Sequence, residues 1–321
     1  MIRTTVIIPN YNGIKYLGDC LESLRGAEGE FKVLVVDNGS TDGSLEVASA
    51  YDDTRVIALK ENTGFAHAVN VGIEAADTEY VLLLNNDITV ERDFVTALER
   101  TLSANPGCFS VNSKMLSMWD HSKIDGCGDY YCALGWAYAY GKDKNAGQTG
   151  RFPKRIFSAC GGASLYRRNV LLELGGFDDA HFAYLEDVDL GYRARLSGYY
   201  NLYEPVSVCY HAGSGSSGSR YNEFKIKLAA ANSIYLIHKN MPALQILLNL
   251  PLLACGFIIK ALFFAKKGYG SLYLKGLLAG FLKGHSAENR DKRVHFDIKR
   301  LPNYVLVELE LIINVFRRFF A

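Results

Sequence analysis

The chain has 321 residues, about half of them apolar, with 35 Lys and Arg against 34 Asp and Glu. That apolar content suits a large core and excludes disorder as the main state, and the near-zero charge excludes a nucleic-acid partner. The balance hides a split: residues 1–238 hold 22 basic and 29 acidic residues, whereas residues 239–321 hold 13 basic and 5 acidic.

Taken in order, the chain begins with Val6–Pro9, which reads as a buried strand. The apolar run is too short for a secretory leader, so the body is expected in the cytoplasm. Tyr16–Arg25 reads as a helix, with Leu17, Cys20, Leu21 and Leu24 at helical spacing. Lys32–Val36 is the next strand, Ser44–Tyr51 a helix, Arg55–Leu59 a strand, Gly64–Ala76 a helix and Tyr80–Leu84 a strand. A helix is expected over Val90–Leu102. Strands alternating with helices predict an α/β fold with a mostly parallel sheet. Ligands of such sheets sit at the carboxyl ends of the strands, where Asn10–Asn12, Asp37–Asp42 and Asn85–Asp87 fall.

Residues 107–160 read as irregular and rich in Gly and Tyr. Ile156–Tyr166 returns to β character, Glu186–Leu196 reads as a helix and Val206–Tyr210 as a short strand. A basic amphipathic helix follows at about Tyr221–Asn240. The sequence divides into a body, residues 1–238, and a tail, residues 239–321. The tail opens with Leu244–Phe264, 21 residues carrying one charge, Lys260. That length can cross a bilayer, but Pro251 and the flanking Lys266-Lys267 also suit an in-plane or re-entrant segment. Leu272–Lys283 and Tyr304–Phe320 are further apolar stretches with interleaved basic residues. A membrane surface, or else a protein partner, is the expected contact. The seven cysteines form no CxxC pair or zinc spacing and read as reduced thiols.

Three clusters carry chemistry. Asp37 ends a strand beside Gly39 and Ser40, where a carboxylate can hold a base or ribose, or cap a turn. Asn85-Asn86-Asp87 follows an apolar strand and suits a hard cation on a diphosphate, or a capped turn. Glu186, Asp187 and Asp189 put three carboxylates in four residues, costly unless neutralised or used. Asp189 can pair with Arg193 four residues on, which leaves Asp187 unpaired. His211 stands alone after a strand, a structural residue or a ligand.

Val6-Ile7-Ile8-Pro9-Asn10-Tyr11-Asn12-Gly13, Val35-Val36-Asp37-Asn38-Gly39-Ser40-Thr41-Asp42-Gly43, Asn62-Thr63-Gly64-Phe65-Ala66, Asn70-Val71-Gly72-Ile73 and Asn85-Asn86-Asp87 resemble the family 2 glycosyltransferases, in particular their rhamnosyltransferase-like branch. The likeness covers about residues 4–240. It implies the GT-A fold, a Rossmann-like nucleotide-binding mixed sheet flanked by helices, here with a C-terminal helical, membrane-associating extension. It implies a nucleotide-diphosphate sugar donor, with Asp37 on the nucleoside, Pro9 and Tyr11 at the base, and Asn62, Gly64, Asn85, Asn86 and Gly162 along the donor. Where the family has Asp-x-Asp, this chain has Asn85, so only Asp87 keeps a carboxylate. His211 is implied as the second ligand of Mn2+ or Mg2+, and a nitrogen ligand favours manganese. Asp187 is implied as the base for an inverting displacement, with Glu186 orienting it or binding the acceptor and Asp189 as the alternative base.

The branch implies dTDP-L-rhamnose as donor, with UDP-hexose or UDP-galactofuranose as competitors. The tail implies a lipid-linked glycan or polysaccharide acceptor at the cytoplasmic face of the cell membrane. A homo-oligomer is compatible with the sequence. The rivals are a degenerate, non-catalytic nucleotide-sugar binder, for which Asn85 speaks, and a processive synthase, against which the lack of a Gln-x-x-Arg-Trp motif speaks.

Overall fold

The computed structural model describes residues 2–213 and 222–320. Strands β1 (Thr4–Asn10), β2 (Phe31–Asp37), β3 (Thr54–Ala58) and β4 (Tyr80–Leu84) alternate with helices α1 (Leu17–Arg25), α2 (Ser44–Ser49) and α3 (Phe65–Ala75). β1 pairs in parallel with β2 and with β4, and β2 pairs in parallel with β3. This is the α/β pattern that the alternation predicts. α1 buries the stripe Leu17, Cys20, Leu21 and Leu24, and β4 is buried along its whole length.

The second half of the sheet comes largely from the segment that reads as irregular. β5 (Ile88–Val90) and α4 (Phe94–Ala104) lead into β6 (Cys108–Ser117), a ten-residue strand, followed by β7 (Ile124–Gly126), the hairpin β8 (Asp129–Cys132) and β9 (Trp136–Ala139), and β10 (Lys154–Ile156). β11 (Ala163–Arg167), α5 (Arg168–Glu173), α6 (Glu186–Leu196) and β12 (Tyr200–His211) complete the body. The sheet order is β10-β12-β6-β11-β4-β1-β2-β3, with β11 antiparallel to β4 and β6. The sheet is therefore mixed. β6 escapes a periodicity reading because Ser110, Asn112 and Ser113 on it are fully buried. Each is satisfied inside the core: Ser110 donates to Asn201, Asn112 to the Ser113 carbonyl, and Ser113 to the Ala163 carbonyl. β12 runs twelve residues where a short strand was expected, with a register shift between Glu204 and Val208.

Helix α7 (Glu223–Asn240) follows, and the tail then forms α8 (Ala243–Lys266), α9 (Gly270–His285) and α10 (Leu301–Phe320). Tyr221, the expected start of α7, lies outside the described residues. The body–tail boundary after residue 238 falls inside α7, and the tail is packed on the body. α9 lays Gly276, Gly280 and Gly284 against Ala230, Ala231 and His238 of α7. The approach is so close that a Cβ on Gly280 would sit 2.1 Å from the Ala231 carbonyl oxygen. α8 is long and apolar enough to cross a membrane. It nevertheless buries the stripe Gln245, Asn249, Leu253 and Gly256 against the body. Gln245 and Asn249 both donate to Glu308 of α10, and the Tyr192 hydroxyl of α6 donates to Gln245. The outward faces of α8, α9 and α10 expose Leu247, Leu248, Leu262, Leu278, Phe281, Leu306, Ile313 and Phe316, among others.

Candidate active site

A cavity of about 660 Å3 opens at the carboxyl ends of β1, β2 and β4. Its size suits a nucleotide-bearing ligand. Pro9, Tyr11, Asn62, Gly64, Asn85, Asn86, Asp87, Gly162, Glu186, Asp187 and His211 all line it. These residues come from remote parts of the chain, and the sheet brings them together. Asp37 is not in the wall. It is buried behind Asn10, whose amide donates to it at 2.8 Å, and it accepts the Ser40 N–H at 3.0 Å.

Two wall residues at the nucleoside end went unassigned in the sequence. Asn10 donates to Asp37, Ser40 and Ser44, and accepts from Asn86 at 2.7 Å. It therefore ties the ends of β1, β2 and β4 together. Asn38 donates to Asn62 and to the Gly64 carbonyl, and accepts from both the backbone and the hydroxyl of Thr63. It fixes the Asn62–Gly64 loop. Gly64 adopts φ +90° with Phe182 close by, a conformation and a space that exclude a side chain. Tyr11 is half-exposed at the rim.

At the centre, the Asp87 carboxylate and His211 Nε2 converge at 3.3 Å. His211 Nδ1 meets Asp125 at 2.9 Å, and Lys142 pairs with Asp125 behind it. Burial opposes charge on the imidazole, but the hydrogen bonds to Asp125 and Asp87 win and push its pKa up to about 9. A carboxylate that orients a histidine whose other nitrogen faces a second carboxylate is the arrangement of a metal-binding histidine. Two ligands about 2.2 Å from one ion at right angles stand roughly 3 Å apart, close to the separation found here. The donor set fits a divalent cation. The main-chain N–H of Asn85 donates to the Gly162 carbonyl.

Opposite lies a second acidic group. One ligand atom each from Asp129, Cys160 and Asp187 lies within 4.8 Å of the others. Asp187 accepts the Val188 N–H at 2.8 Å and the Gly161 N–H at 3.3 Å. Burial raises its pKa, and those backbone donors partly offset the rise. Burial and the neighbouring Asp187 push Glu186 well above the carboxylate range, and the same two causes do so for Asp129. Glu186 Oε2 is buried without a protein partner. A base must be ionised to accept a proton, so activity through Asp187 is lost as pH falls through its raised pKa. The acid limb of kcat/KM is expected above pH ~4, the ordinary aspartate value. A rate profile flat down to that pH would contradict the assignment.

Comparison with known proteins turns this geometry into an identification. The glycosyl transferase family 2 model matches residues 5–175. The chain belongs to that family. It is a glycosyltransferase, and its likeness to the rhamnosyltransferase-like branch is borne out. An N-acetylglucosaminyl-diphospho-decaprenol L-rhamnosyltransferase of Mycobacterium tuberculosis is 28% identical over 240 residues, 66% of this chain and 77% of that protein. Glycosyltransferase GlyG of Streptococcus pneumoniae is 35% identical over 99 residues, 29% of this chain and 33% of that protein. Among solved structures, the mannosyltransferase PcManGT from Pyrobaculum calidifontis, in complex with GDP-Man and Mn2+, superposes with TM-score 0.55. It is 19% identical over 88% of this chain and 86% of that one. GalNAc-T7 with UDP, GalNAc and Mn2+ superposes at 0.59 and 15% identity over 74% of this chain, which spans 48% of its length. These likenesses establish the GT-A fold.

In this glycosyltransferase the tail helps to build the site. Phe182, Tyr184 and Leu185, just before α6, all have positive φ, a costly backbone for residues with side chains. Asn232 of α7 holds that loop by donating to the carbonyls of His181, Ala183 and Tyr184. Lys283 of α9 donates to the Ala180 carbonyl and to Asn232. The loop delivers Glu186 and Asp187 to the cavity. Asp189, the alternative base, faces away from it. It is fully buried and bound by Arg193, Lys239 and Asn240, which hold it ionised well below the carboxylate range against the opposing cost of burial. Of the tyrosines of the β8–β9 hairpin, Tyr138 lines the cavity, whereas Tyr130 and Tyr131 are core residues. Asp125 serves His211. All seven cysteines are free.

Proposed function

We propose that this glycosyltransferase moves a sugar with inversion from a nucleotide-diphosphate donor, first among them dTDP-L-rhamnose, onto a lipid-linked glycan acceptor in bacterial cell-surface glycan synthesis. The observation that carries this reading is the single cavity shared by the Asp87–His211 pair and the Asp187 carboxylate. Asn10, Asn38 and Asn62 shape the nucleoside end, with Asp37 behind them as its support and, on the family likeness, its ligand. Asp87 and His211 hold Mn2+ or Mg2+, which when bound neutralises the leaving diphosphate. Asp187 removes the proton of the acceptor hydroxyl as that oxygen attacks the anomeric carbon, and no covalent enzyme intermediate forms. Glu186, neutral in its buried setting, donates a hydrogen bond to the acceptor or to the donor sugar.

The exposed apolar faces of α8, α9 and α10 fit a membrane surface, and their basic residues fit anionic head groups. The latch from Gln245 to Gly256 keeps one side of α8 on the body. About ten residues of α8 remain beyond Gly256, only ~15 Å of helix against a hydrocarbon core of ~30 Å. α8 therefore lies in the membrane plane at the cytoplasmic face.

Melting curves with a panel of nucleotide sugars and manganese identify the donor, since a ligand of the folded state raises the melting temperature. dTDP-L-rhamnose is expected to give the largest shift, and a larger shift with a UDP-hexose would reassign it. Chelation is expected to abolish transfer and manganese to restore it. His211→Ala is expected to need higher metal concentrations, by 10-fold or more on the order of one lost ligand. Full activity in chelator would remove the metal from the account.

A further inference from the structure

The β8–β9 hairpin has two neighbours. It gives Asp129, Ala137, Tyr138 and Ala139 to the cavity wall. It also joins the tail: the Trp136 indole donates to the Gly256 carbonyl, the Tyr138 hydroxyl to the Asn314 carbonyl, and the Ala133 N–H to the Leu311 carbonyl. At that join three cations stand against the hairpin's rings. Lys260 Nζ lies 5.7 Å from the Trp136 ring centre, the Arg317 guanidinium 5.3 Å from Tyr130, and the Arg318 guanidinium 5.5 Å from Tyr138.

No carboxylate pairs with any of the three among the described residues. The acids on α10 are engaged elsewhere, Glu308 by Gln245 and Asn249, and Glu310 by Arg195. Arg317 hydrogen-bonds the Asn314 amide oxygen, and Glu310, already paired with Arg195, adds only a longer-range attraction to it. Cation–π contacts hold the three groups in place but do not neutralise them, while burial and the neighbouring Arg318 push the Lys260 pKa down to about 8. Gathered like charges repel, and a multiply charged anion relieves that repulsion while accepting their free N–H donors. The cluster also has apolar neighbours. Lys260 lies between exposed Ile259 and Leu262 on α8, and Arg317 and Arg318 lie between exposed Phe316 and Phe319 on α10. The Phe319 ring is 6.4 Å from Trp136.

We propose that Lys260, Arg317 and Arg318 bind the diphosphate of a lipid-linked acceptor. The hydrocarbon lies along the exposed faces of α8 and α10, and the sugar passes Tyr138 into the cavity toward Asp187. The proposal rests on the reading of this chain as a transferase to a lipid-linked acceptor and assigns that acceptor's charged group a site. Charge complementarity selects the diphosphate over a neutral glycan. Tyr138, under Arg318 and in the cavity wall at once, connects the anion site to the cavity.

The test is vesicle flotation of the full chain, without donor. Phosphatidylcholine vesicles are compared with the same vesicles carrying a polyprenyl diphosphate, and with vesicles carrying phosphatidylglycerol at matched charge. The polyprenyl diphosphate is expected to tighten binding about tenfold or more, the effect of one or two charge-assisted hydrogen bonds. Arg317→Gln/Arg318→Gln, at exposed positions that spare the fold, is expected to lose most of that gain. Adding Lys260→Gln is expected to remove the rest. Arg290→Gln, an exposed cation elsewhere on the tail, is expected to keep it. An equal gain from phosphatidylglycerol, or a full gain in the double and triple variants, would overturn the site. The diphosphate effect in a chain that transfers no sugar would keep the site and reject the transferase reading. Transfer to a lipid-linked acceptor with unchanged KM in the triple variant would reject the site and keep the transferase.

Discussion

Asp187→Asn is expected to lower kcat by roughly 10³-fold, the scale of losing a general base, with donor binding nearly intact. Asparagine keeps the side-chain shape and an acceptor for the Val188 N–H, so the loop and α6 stay in place. What it lacks is the basic oxygen. The melting shift produced by the donor should therefore match that of the wild type while turnover collapses. Asp129 lies beside Asp187 in the same wall, but its burial still favours the neutral form once the Asp187 charge is removed, so it is a poor substitute. Wild-type turnover in Asp187→Asn would remove that residue from the base role.

Lys239→Ala is expected to cost about 3–5 kcal/mol of stability, the usual consequence of stranding buried charges. Lys239 is almost fully buried and pairs with Asp178 at 2.8 Å and with Asp189 at 2.9 Å. Arg193 and Lys292 supply the remaining cations. Removing the ammonium leaves two buried carboxylates sharing what is left. On a chain of 321 residues the melting temperature should fall by about 4–7 °C. The same reasoning applies to truncation. A chain cut after residue 238 loses Lys239 and Asn240 together with the Lys283 bonds to the Ala180 carbonyl and to Asn232, so it should unfold more easily and transfer poorly. A Lys239→Ala variant as stable as the wild type would show that the network carries no net stabilisation.

The parallel half of the sheet was legible because β1, β2 and β4 are unbroken apolar runs ending in polar clusters, and strand ends are where such sheets bind ligands. The antiparallel half was not, because β6 buries serine and asparagine side chains whose partners, Asn201 and the Ala163 carbonyl, lie 50 to 91 residues away. The bond of Asp125 to His211, and Asp129 and Asn38 as cavity residues, were missed for the same reason: their neighbours are supplied by the fold. Asp189 and Arg193 were legible as a pair from their spacing, but Lys239, which decides where Asp189 points its charge, was not. The tail showed its apolar faces in sequence. It hid the polar stripe of Gln245, Asn249 and Glu308, because an amide in an apolar run signals a break in a span as readily as a latch to a body.

The charge split at residue 238 now has a structural meaning. The acidic part contains the carboxylates of the cavity, and the basic part supplies the exposed apolar faces of α8, α9 and α10 and, with Arg193, the cations that neutralise Asp178 and Asp189. The two parts are electrostatically dependent on each other.

The central claim is a single displacement at the anomeric carbon with Asp187 as base. The anomeric configuration of the product, read by NMR after transfer from the donor that the melting panel selects, tests it most directly. The account predicts the configuration opposite to that of the donor; retention would contradict it.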